Sequence, residues 1–342
     1  MAKKKVLFTF DYEMFSKRSG SVDNCLIKPV NALQKVFREY GIHATFFVDA
    51  VFLERIKKED TLEQEYIKIT DQLLSLLKDG HRIELHIHPH WRYAVFDNSE
   101  FFIRDVRHFN IMNFSEKEIN ELILSGVQLL NGIIKKYNPK YKMIAYRGGG
   151  WCIQPFKKIA PVLKKAGIFL DSTVAKGYKK DSGFQYYDFL SAPDKEYYFF
   201  EEDPVKEVKT WSFLEIPITT YRLPLFLKLR RAVSKRLLNI EEKKIYGDGE
   251  GLIIEDHSNN GTITKKIIKE YFLDYNMLSL QNIIPEIFIK IVQIQKRDIF
   301  NIISHPKNLS KLSISGIRKL ADTGDYTFMT LKDLYEDIIL HK

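Results

Sequence analysis

The stretch KVLFTFDYE, residues 5–13, joins an apolar run to two acidic residues and is the clearest clue to the fold. Its first six residues predict a buried β-strand, because short runs of apolar and aromatic residues suit the interior of a sheet. Asp11 and Glu13 follow this strand two positions apart. If the backbone stays extended, both carboxylates point to the same face. The stretch therefore predicts an interior strand that brings two acids to one end of the sheet.

The same apolar pattern returns along the chain, with segments of helical periodicity between the apolar runs. Further strands are predicted at 43–50, 82–87, 141–147, 168–173, 213–219 and 298–305. Helices are predicted at 28–41, 71–80, 116–137 and 156–167. A last strand and helix are predicted within 326–338, where Thr330 and Asp333 form a capping pair. This alternation is typical of an α/β fold with a parallel sheet, and seven or eight units favour a distorted (β/α) barrel.

We predict a single barrel domain that spans residues 1–342. Two regions, at about 173–212 and 220–297, lack the regular alternation and are interpreted as insertions on the barrel. The second insertion contains PLFLKLRRAVSKRLL at 224–238, which predicts a basic amphipathic helix. Such a helix suits contact with a membrane surface or a lipid-linked diphosphate.

Composition limits the classes of partner only loosely. The chain has 342 residues and a formal net charge of +9. A basic surface favours anionic partners such as phosphates, nucleic acid or lipid headgroups, and charge alone does not choose among them. The sequence carries no further signal for nucleic acid, so no nucleic-acid partner is predicted.

The N-terminal stretch and the cysteines bear on location. The apolar run after Lys5 ends at Asp11 with no cleavage site, which does not fit a signal peptide. No run of about 18 apolar residues predicts a membrane-spanning helix. Cys25 and Cys152 are far apart in sequence and do not form a disulfide framework. We therefore expect a cytoplasmic protein with both thiols reduced.

Polar residues stand at the ends of five predicted strands. They are Asp11 and Glu13, then His86, His88 and His90, then Arg147, then Asp171, and finally His305. The C-terminal ends of the strands of a parallel barrel meet at one rim, where the catalytic groups of such barrels lie. Residues separated by nearly the whole chain are thus expected to share one pocket.

This set of residues predicts a metal-dependent hydrolase. Two histidines and a carboxylate are a suitable three-ligand set for Zn²⁺, and they leave a fourth position for water. Bound water then loses a proton near neutral pH and becomes a usable nucleophile. A second carboxylate and another histidine suit the transfer of protons to and from the reacting groups. Co²⁺, Ni²⁺ and Fe²⁺ are accepted by similar ligands.

The sequence resembles the polysaccharide deacetylases of carbohydrate esterase family 4. Five separated stretches carry the resemblance, and they are TFDYE (9–13), HIHPH (86–90), YRGGGW (146–151), LDSTV (170–174) and IISHP (302–306). The resemblance implies a distorted β/α barrel that uses a divalent metal to remove acyl groups, usually N-acetyl, from amino sugars.

The first two stretches would supply the base and the metal ligands. The family pattern Thr-Phe-Asp-Asp implies that Asp11 is the catalytic base. Tyr12 stands where the family has a ligating acid, so Glu13 is assigned as the carboxylate ligand. The spacing of the second family pattern assigns His86 and His90 as the imidazole ligands.

The other three stretches would supply the remaining catalytic groups. Arg147 would hold Asp11 ionised, and an amide near Gly150 or Trp151 would stabilise the oxyanion. Asp171 would orient the catalytic histidine.

In the last stretch, His305 would act as the general acid and Ile303 would form a wall of the acyl pocket. The aromatic residue that the family carries just after Asp171 is absent, which implies an acyl pocket of different shape.

Several alternatives stay open at the level of sequence. Strand geometry alone makes His86 and His88 the pair on one face, whereas the resemblance favours His86 and His90. Tyr12 and Ile87 depart from the family pattern, which leaves room for a non-catalytic glycan-binding relative. A metal-dependent amidohydrolase of another type is a further alternative. The expected substrate is an acylated amino sugar within a nucleotide-linked or lipid-linked precursor of a surface glycan.

Overall fold

A computed structural model describes residues 3–209, 212–228, 230, 240–252 and 275–340. In this part of the chain the main sheet has nine strands. They are β1 Lys4–Tyr12, β2 Thr45–Asp49, β3 Arg82–Ile87, β4 Ala145–Gly148, β5 Leu170–Asp171, β6 Tyr198–Phe200, β7 Phe213–Glu215, β8 Ile299–Ser304 and β9 Tyr326–Phe328. The order is β6-β7-β5-β4-β3-β2-β1-β8, and β9 also pairs with β1. The β6–β7 pair is antiparallel and the other pairs are parallel.

Helices cover the outside of this sheet. They are α1 Lys28–Tyr40, α2 Ala50–Lys57, α3 Glu63–Lys78, α4 Glu116–Ile134, α5 Ala160–Lys165, α6 Ile240–Lys243, α7 Pro285–Ile294, α8 Lys311–Asp322 and α9 Leu331–Leu340. Three small antiparallel sheets pair Val95–Asp97 with Glu100–Phe102, Lys179–Asp181 with Tyr186–Asp188, and Thr220–Arg222 with Tyr275–Met277. No helix in the described part of the chain combines the length and apolar character that a membrane crossing needs.

Side chains of β1 alternate between two environments, as the extended backbone requires. Phe8 and Phe10 face outward and pack against Phe37 of α1 in the main hydrophobic core. Thr9 and Asp11 face the barrel interior, where both are buried. Every second residue of β1 therefore points to the centre of the barrel, which sets the direction of the polar groups at its end.

The barrel closes through hydrogen bonds of Asn301 instead of a regular strand pair. The main chain of Asn301 exchanges hydrogen bonds with Thr219, at 3.0 Å to the Thr219 amide and 2.8 Å to its hydroxyl. The Asn301 side-chain amide donates to the carbonyl of Ile216 at 3.0 Å and accepts from the Thr9 hydroxyl at 2.9 Å. The segment after β7 thus joins β8, and one buried side chain completes the ring.

We predict that Asn301→Ala lowers the free energy of unfolding by about 1–3 kcal/mol, because it leaves buried donors and acceptors without partners. Urea unfolding followed by circular dichroism measures the effect. Asn113→Ala, at an exposed position, is the control and should unfold close to wild type. If the urea midpoint of Asn301→Ala equals that of the control, closure of the barrel does not depend on the Asn301 side chain.

The structure confirms the predicted α/β class and the distorted barrel. It also confirms the capping pair, since the Thr330 amide and hydroxyl both donate to the Asp333 carboxylate at 2.8 Å. The strand predicted at 213–219 is regular only to Glu215, because Pro217 cannot donate to a ladder. Strand β6 and helix α2 were not predicted.

A single domain with two insertions remains a prediction. The first predicted insertion contains β6, and the second contains α6 and α7. Of the basic helix predicted at 224–238, all residues after 228 except 230 lie outside the described residues.

Candidate active site

Asp11, at the end of β1, is held by the buried side chain of Arg147 from β4. Arg147 Nη1 donates to Asp11 Oδ1 at 2.7 Å, and Nη2 donates to the Thr9 hydroxyl at 2.9 Å. Arg147 Nε donates to the carbonyl of Ser172 at 2.7 Å. The guanidinium also lies 4.3 Å from the centre of the Phe47 ring. The plane of the guanidinium is therefore fixed on every side, and with it the orientation of the Asp11 carboxylate.

The Asp11 carboxyl group is ionised in this setting. Burial by itself raises the pKa of a carboxyl group. Arg147 and His305 outweigh that effect, and the net pKa of Asp11 lies well below its ordinary value. Asp11 is therefore a carboxylate at neutral pH, which is the form that accepts a proton.

Glu13 brings two histidines together with one of its oxygens. Glu13 Oε2 lies 2.9 Å from His86 Nε2 and 2.6 Å from His88 Nε2. Its other oxygen, Oε1, accepts a hydrogen bond from Lys307 Nζ at 2.8 Å. Burial opposes ionisation, yet Lys307 and the two imidazoles hold the pKa of Glu13 well below its usual range. Tyr12, between the two acids, points outward and donates to Gln72 at 2.8 Å.

These side chains fit a divalent cation. Within the described residues, Glu13, His86 and His88 offer ligand atoms that all lie within 4.8 Å of one another. His86 Nδ1 lies 2.7 Å from the carbonyl oxygen of Arg147, and a carbonyl only accepts, so Nδ1 carries the ring hydrogen. A backbone carbonyl in this position is the common partner of metal-binding histidines.

The neutral form of His86 then presents a lone pair at Nε2 to the Glu13 carboxylate. Two lone pairs that face each other need a cation that both can bind, and either a proton or a metal ion meets that need. Burial alone would lower the pKa of His86, but Glu13 and Asp11 raise it to about 9. The site therefore attracts positive charge strongly, as a metal site does.

The ring of His90 lies next to the ring of His88, and His90 belongs to the short 3₁₀ helix Pro89–Tyr93. The centres of the His88 and His90 rings are 4.9 Å apart, and His90 stacks on Phe109 at 5.3 Å. Both His90 nitrogens are buried without a hydrogen-bond partner among the described residues. Burial and His88 hold the pKa of His90 well below its ordinary value, so the ring is neutral. Buried nitrogens of this kind need a partner such as an ion or an ordered water.

His305, just after β8, completes the group. His305 Nε2 lies 3.4 Å from Asp11 Oδ2 and 3.5 Å from Glu13 Oε1. Its other nitrogen, Nδ1, contacts the side-chain amide of Gln281. The His305 side chain is 19% exposed, against 6% for Asp11, so His305 is the group that faces the opening of the barrel.

The structure places Asp171 away from the role that the sequence predicted for it. Its carboxylate accepts hydrogen bonds from the Thr173 hydroxyl at 2.9 Å and the Thr173 amide at 3.0 Å. It pairs in register with Glu215 of β7, and burial raises the pKa of both acids. Asp171 thus begins a turn and forms a buried pair of acids with Glu215. The contact to His305 Nδ1 comes from Gln281 instead.

The glycine turn after β4 lies beside the site. Gly150 and Trp151 both have a φ of 59°, which is uncommon for a tryptophan. A Cβ on Gly150 would come within 2.3 Å of the Phe109 ring, so only glycine fits. Trp151, Ile303 and His305 line one cavity of about 290 Å³. The three predicted substrate-contacting residues therefore lie at or next to this cavity.

Sequence reasoning missed Lys307 and Gln281. Lys307 is buried and pairs with Glu13, and its only signal was its position two residues after His305. Gln281 lies inside the predicted insertion 220–297, where no periodicity placed it near the barrel. For His88, strand geometry had indicated a position on the face of His86, and the structure has it there.

Two sequence comparisons with known proteins give different results. Residues 1–168, just under half of the chain, match the family model described as polysaccharide deacetylase. A sequence comparison with curated proteins finds no match.

Several solved structures have a similar chain course at low sequence identity. A polysaccharide deacetylase-type protein from Mycobacterium smegmatis has 13% identity and a TM-score of 0.49, over 100% of this chain and 92% of that one. A family 4 carbohydrate esterase from Streptomyces lividans has 9% identity and a TM-score of 0.43, over 96% and 93%. A family pseudoenzyme from Bacillus anthracis has 8% identity and a TM-score of 0.43, over 97% and 65%.

At these identities and scores the structural likenesses say nothing about substrate or activity. The sequence match has a firmer basis, because it covers β1, β2, β3 and β4, from which Asp11, Glu13, His86 and Arg147 come. On this match, residues 1–168 are similar to the polysaccharide deacetylase family.

Proposed function

We propose that the protein uses a divalent metal, with Zn²⁺ the first choice, to hydrolyse an acyl group, most simply N-acetyl, from an amino sugar. One observation carries the proposal. Asp11, Glu13, His86 and His305, from three strands far apart in sequence, meet at one end of the barrel with Asp11 held by Arg147.

Glu13 and His86 would hold the metal together with His90, and the metal would polarise the acyl carbonyl and acidify water. Co²⁺, Ni²⁺ or Fe²⁺ suit the same ligands. The family spacing and the unpartnered nitrogens support His90 as the third ligand. His88 is the competing ligand because of its 2.6 Å contact with Glu13.

The remaining residues would move protons and stabilise charge. Asp11, kept ionised by Arg147, accepts the proton of the attacking water. The amides of the turn at Gly150 and Trp151 stabilise the developing oxyanion. His305 donates a proton from Nε2 to the departing amine. Gln281 takes over at His305 Nδ1 the orienting role that was predicted for Asp171, and Asp171 would act only indirectly, through the fold of this rim.

The proposed substrate is an acylated amino sugar of a surface-glycan precursor, carried on a nucleotide or a lipid diphosphate in the cytoplasm. The net charge of +9 supports a substrate that carries negative charge. The test is release of acetate from a panel of acetylated sugar nucleotides, lipid-linked sugars and surface glycans, with His305→Ala as the inactive control. Binding to the panel without any release of acetate would favour a glycan-binding relative instead.

Asparagine substitutions at His88 and His90 separate the two candidate ligands. We expect His90→Asn to weaken Zn²⁺ binding by tenfold or more, because it removes a ligand, and His88→Asn to weaken it less. Competition with a fluorescent zinc chelator measures both affinities without any assay of activity. If the order of the two effects is reversed, His88 is the ligand and the family spacing does not apply here.

A further inference from the structure

The cavity beside His305 reaches far beyond the proposed site of bond cleavage. Its lining includes His305, Trp151 and Ile303. It also includes residues just before α7 and along it, and these are Ile283, Ile284, Ile287, Phe288 and Ile291. One continuous space therefore connects the catalytic rim with the outer helix layer.

The lining of this cavity combines polar and apolar side chains. Gln281 contacts His305, which fixes that part of the lining beside the site. Ile283 packs against α8, because a Cβ on Gly316 would come within 2.4 Å of it. The other polar residues of the lining include Ser279, Asn276 and Asn282, and Tyr178 and Tyr221 also line it. The residues of α7 that line the cavity are all apolar.

The size of the cavity exceeds the needs of an acetyl group. Its volume is about 290 Å³. A water molecule takes roughly 30 Å³ of liquid volume, and a methyl or methylene group is of similar size. An acetyl methyl would fill only a small fraction of this space.

We infer that the protein removes an acyl group longer than acetyl, with its methylene chain in the cavity under α7. This rests on the proposed function, since it places the carbonyl of the substrate at Asp11 and His305. The chain would run from His305 past Ile303 toward Ile287. The chemistry is hydrolysis of an amide to a carboxylate and an amine, with water as the second reactant.

Chain length is the variable that tests the inference. N-acetyl-, N-butanoyl-, N-hexanoyl- and N-octanoylglucosamine are offered to the zinc-loaded protein, and the release of amine is followed. Each methylene taken out of water contributes about fourfold to binding of the transition state. We therefore expect kcat/KM to rise at least tenfold from acetyl to hexanoyl. An optimum at acetyl would overturn the inference.

A substitution that fills the cavity gives the matched control. Ile287→Phe narrows the part of the cavity beside α7 and should remove the preference for hexanoyl over acetyl. Ile294→Phe, on the same helix but 37% exposed, should keep the preference. Thermal unfolding of both variants shows whether they are folded. Equal chain-length preference in the two variants would also overturn the inference.

Binding of the product separates this inference from the proposed function. Acetate, hexanoate and octanoate are titrated into the same protein by calorimetry, and the longer carboxylates should bind at least tenfold more tightly. If no sugar amide is hydrolysed, the proposed function fails, and the titration still decides whether the cavity holds an alkyl chain. Equal affinities for acetate and octanoate would show that it does not.

Discussion

Asp11→Asn is expected to lower the rate of hydrolysis by a factor of about 10³, within the range typical of a lost general base. Asparagine has nearly the same shape, and its oxygen still accepts from Arg147 Nη1, but its amide cannot take a proton from water. The measurement is the steady-state release of acetate from the best substrate of the panel. Because Asp11 is proposed as a base and not as a ligand, the bound metal should remain.

Asp60→Asn, at an exposed position of the short helix before α3, is the matched control and should retain the full rate. The assignment of Asp11 fails if Asp11→Asn keeps more than a tenth of the wild-type activity. Loss of the metal together with the activity would instead make Asp11 a ligand.

Arg147→Leu is expected to reduce the free energy of unfolding by about 3–5 kcal/mol, the usual cost of removing one partner of a buried ion pair. Leucine leaves the Asp11 carboxylate buried without its counter-charge, and it leaves the Thr9 hydroxyl and the Ser172 carbonyl without their donors. Such a loss is a large part of the 5–15 kcal/mol that typically stabilises a domain. Urea unfolding followed by tryptophan fluorescence measures it.

Arg107→Leu is the matched comparison, since Arg107 pairs with Asp105 on the surface with 84% of its side chain exposed. Its unfolding midpoint should stay near that of the wild type, because solvent screens exposed pairs. Similar midpoints for the two variants would mean that the Arg147 network does not stabilise the barrel. Arg147→Lys should recover only part of the loss, because a single ammonium cannot replace a planar fork of donors.

The sequence was sufficient to place the side chains of the regular strands. Alternation along β1 sends Thr9, Asp11 and then Glu13 toward the interior, and the same rule in β3 and just beyond it sends His86 and His88 there. The face of a strand to which each side chain points, and the length of the strand, are local properties. The spacing of apolar residues in the sequence therefore predicts both well. The outward direction of Tyr12 follows from the same rule, and it is consistent with the proposal that Glu13, which faces inward, supplies the carboxylate ligand.

The contacts that sequence reasoning missed come from segments without a period. Gln281 contacts His305 from an irregular stretch before α7. The position of this stretch depends on tertiary packing, and no apolar periodicity in the sequence predicts it. Lys307 pairs with Glu13 across nearly the whole chain. The position of the Asp171 carboxylate has a different reason, because an Asp that accepts a hydrogen bond from the amide two residues on begins a turn by itself. That local hydrogen bond keeps its carboxylate at Thr173.

Metal content is the most direct test of the central claim that Glu13 and the histidines of β3 and its following turn bind one divalent ion. Plasma mass spectrometry of the purified protein should find close to one Zn²⁺ or similar ion per chain. The double variant Glu13→Ala/His86→Ala should lose it, while His43→Ala, at an exposed histidine, should keep it. A wild-type protein without stoichiometric metal, or a double variant that retains the metal in full, would contradict the claim.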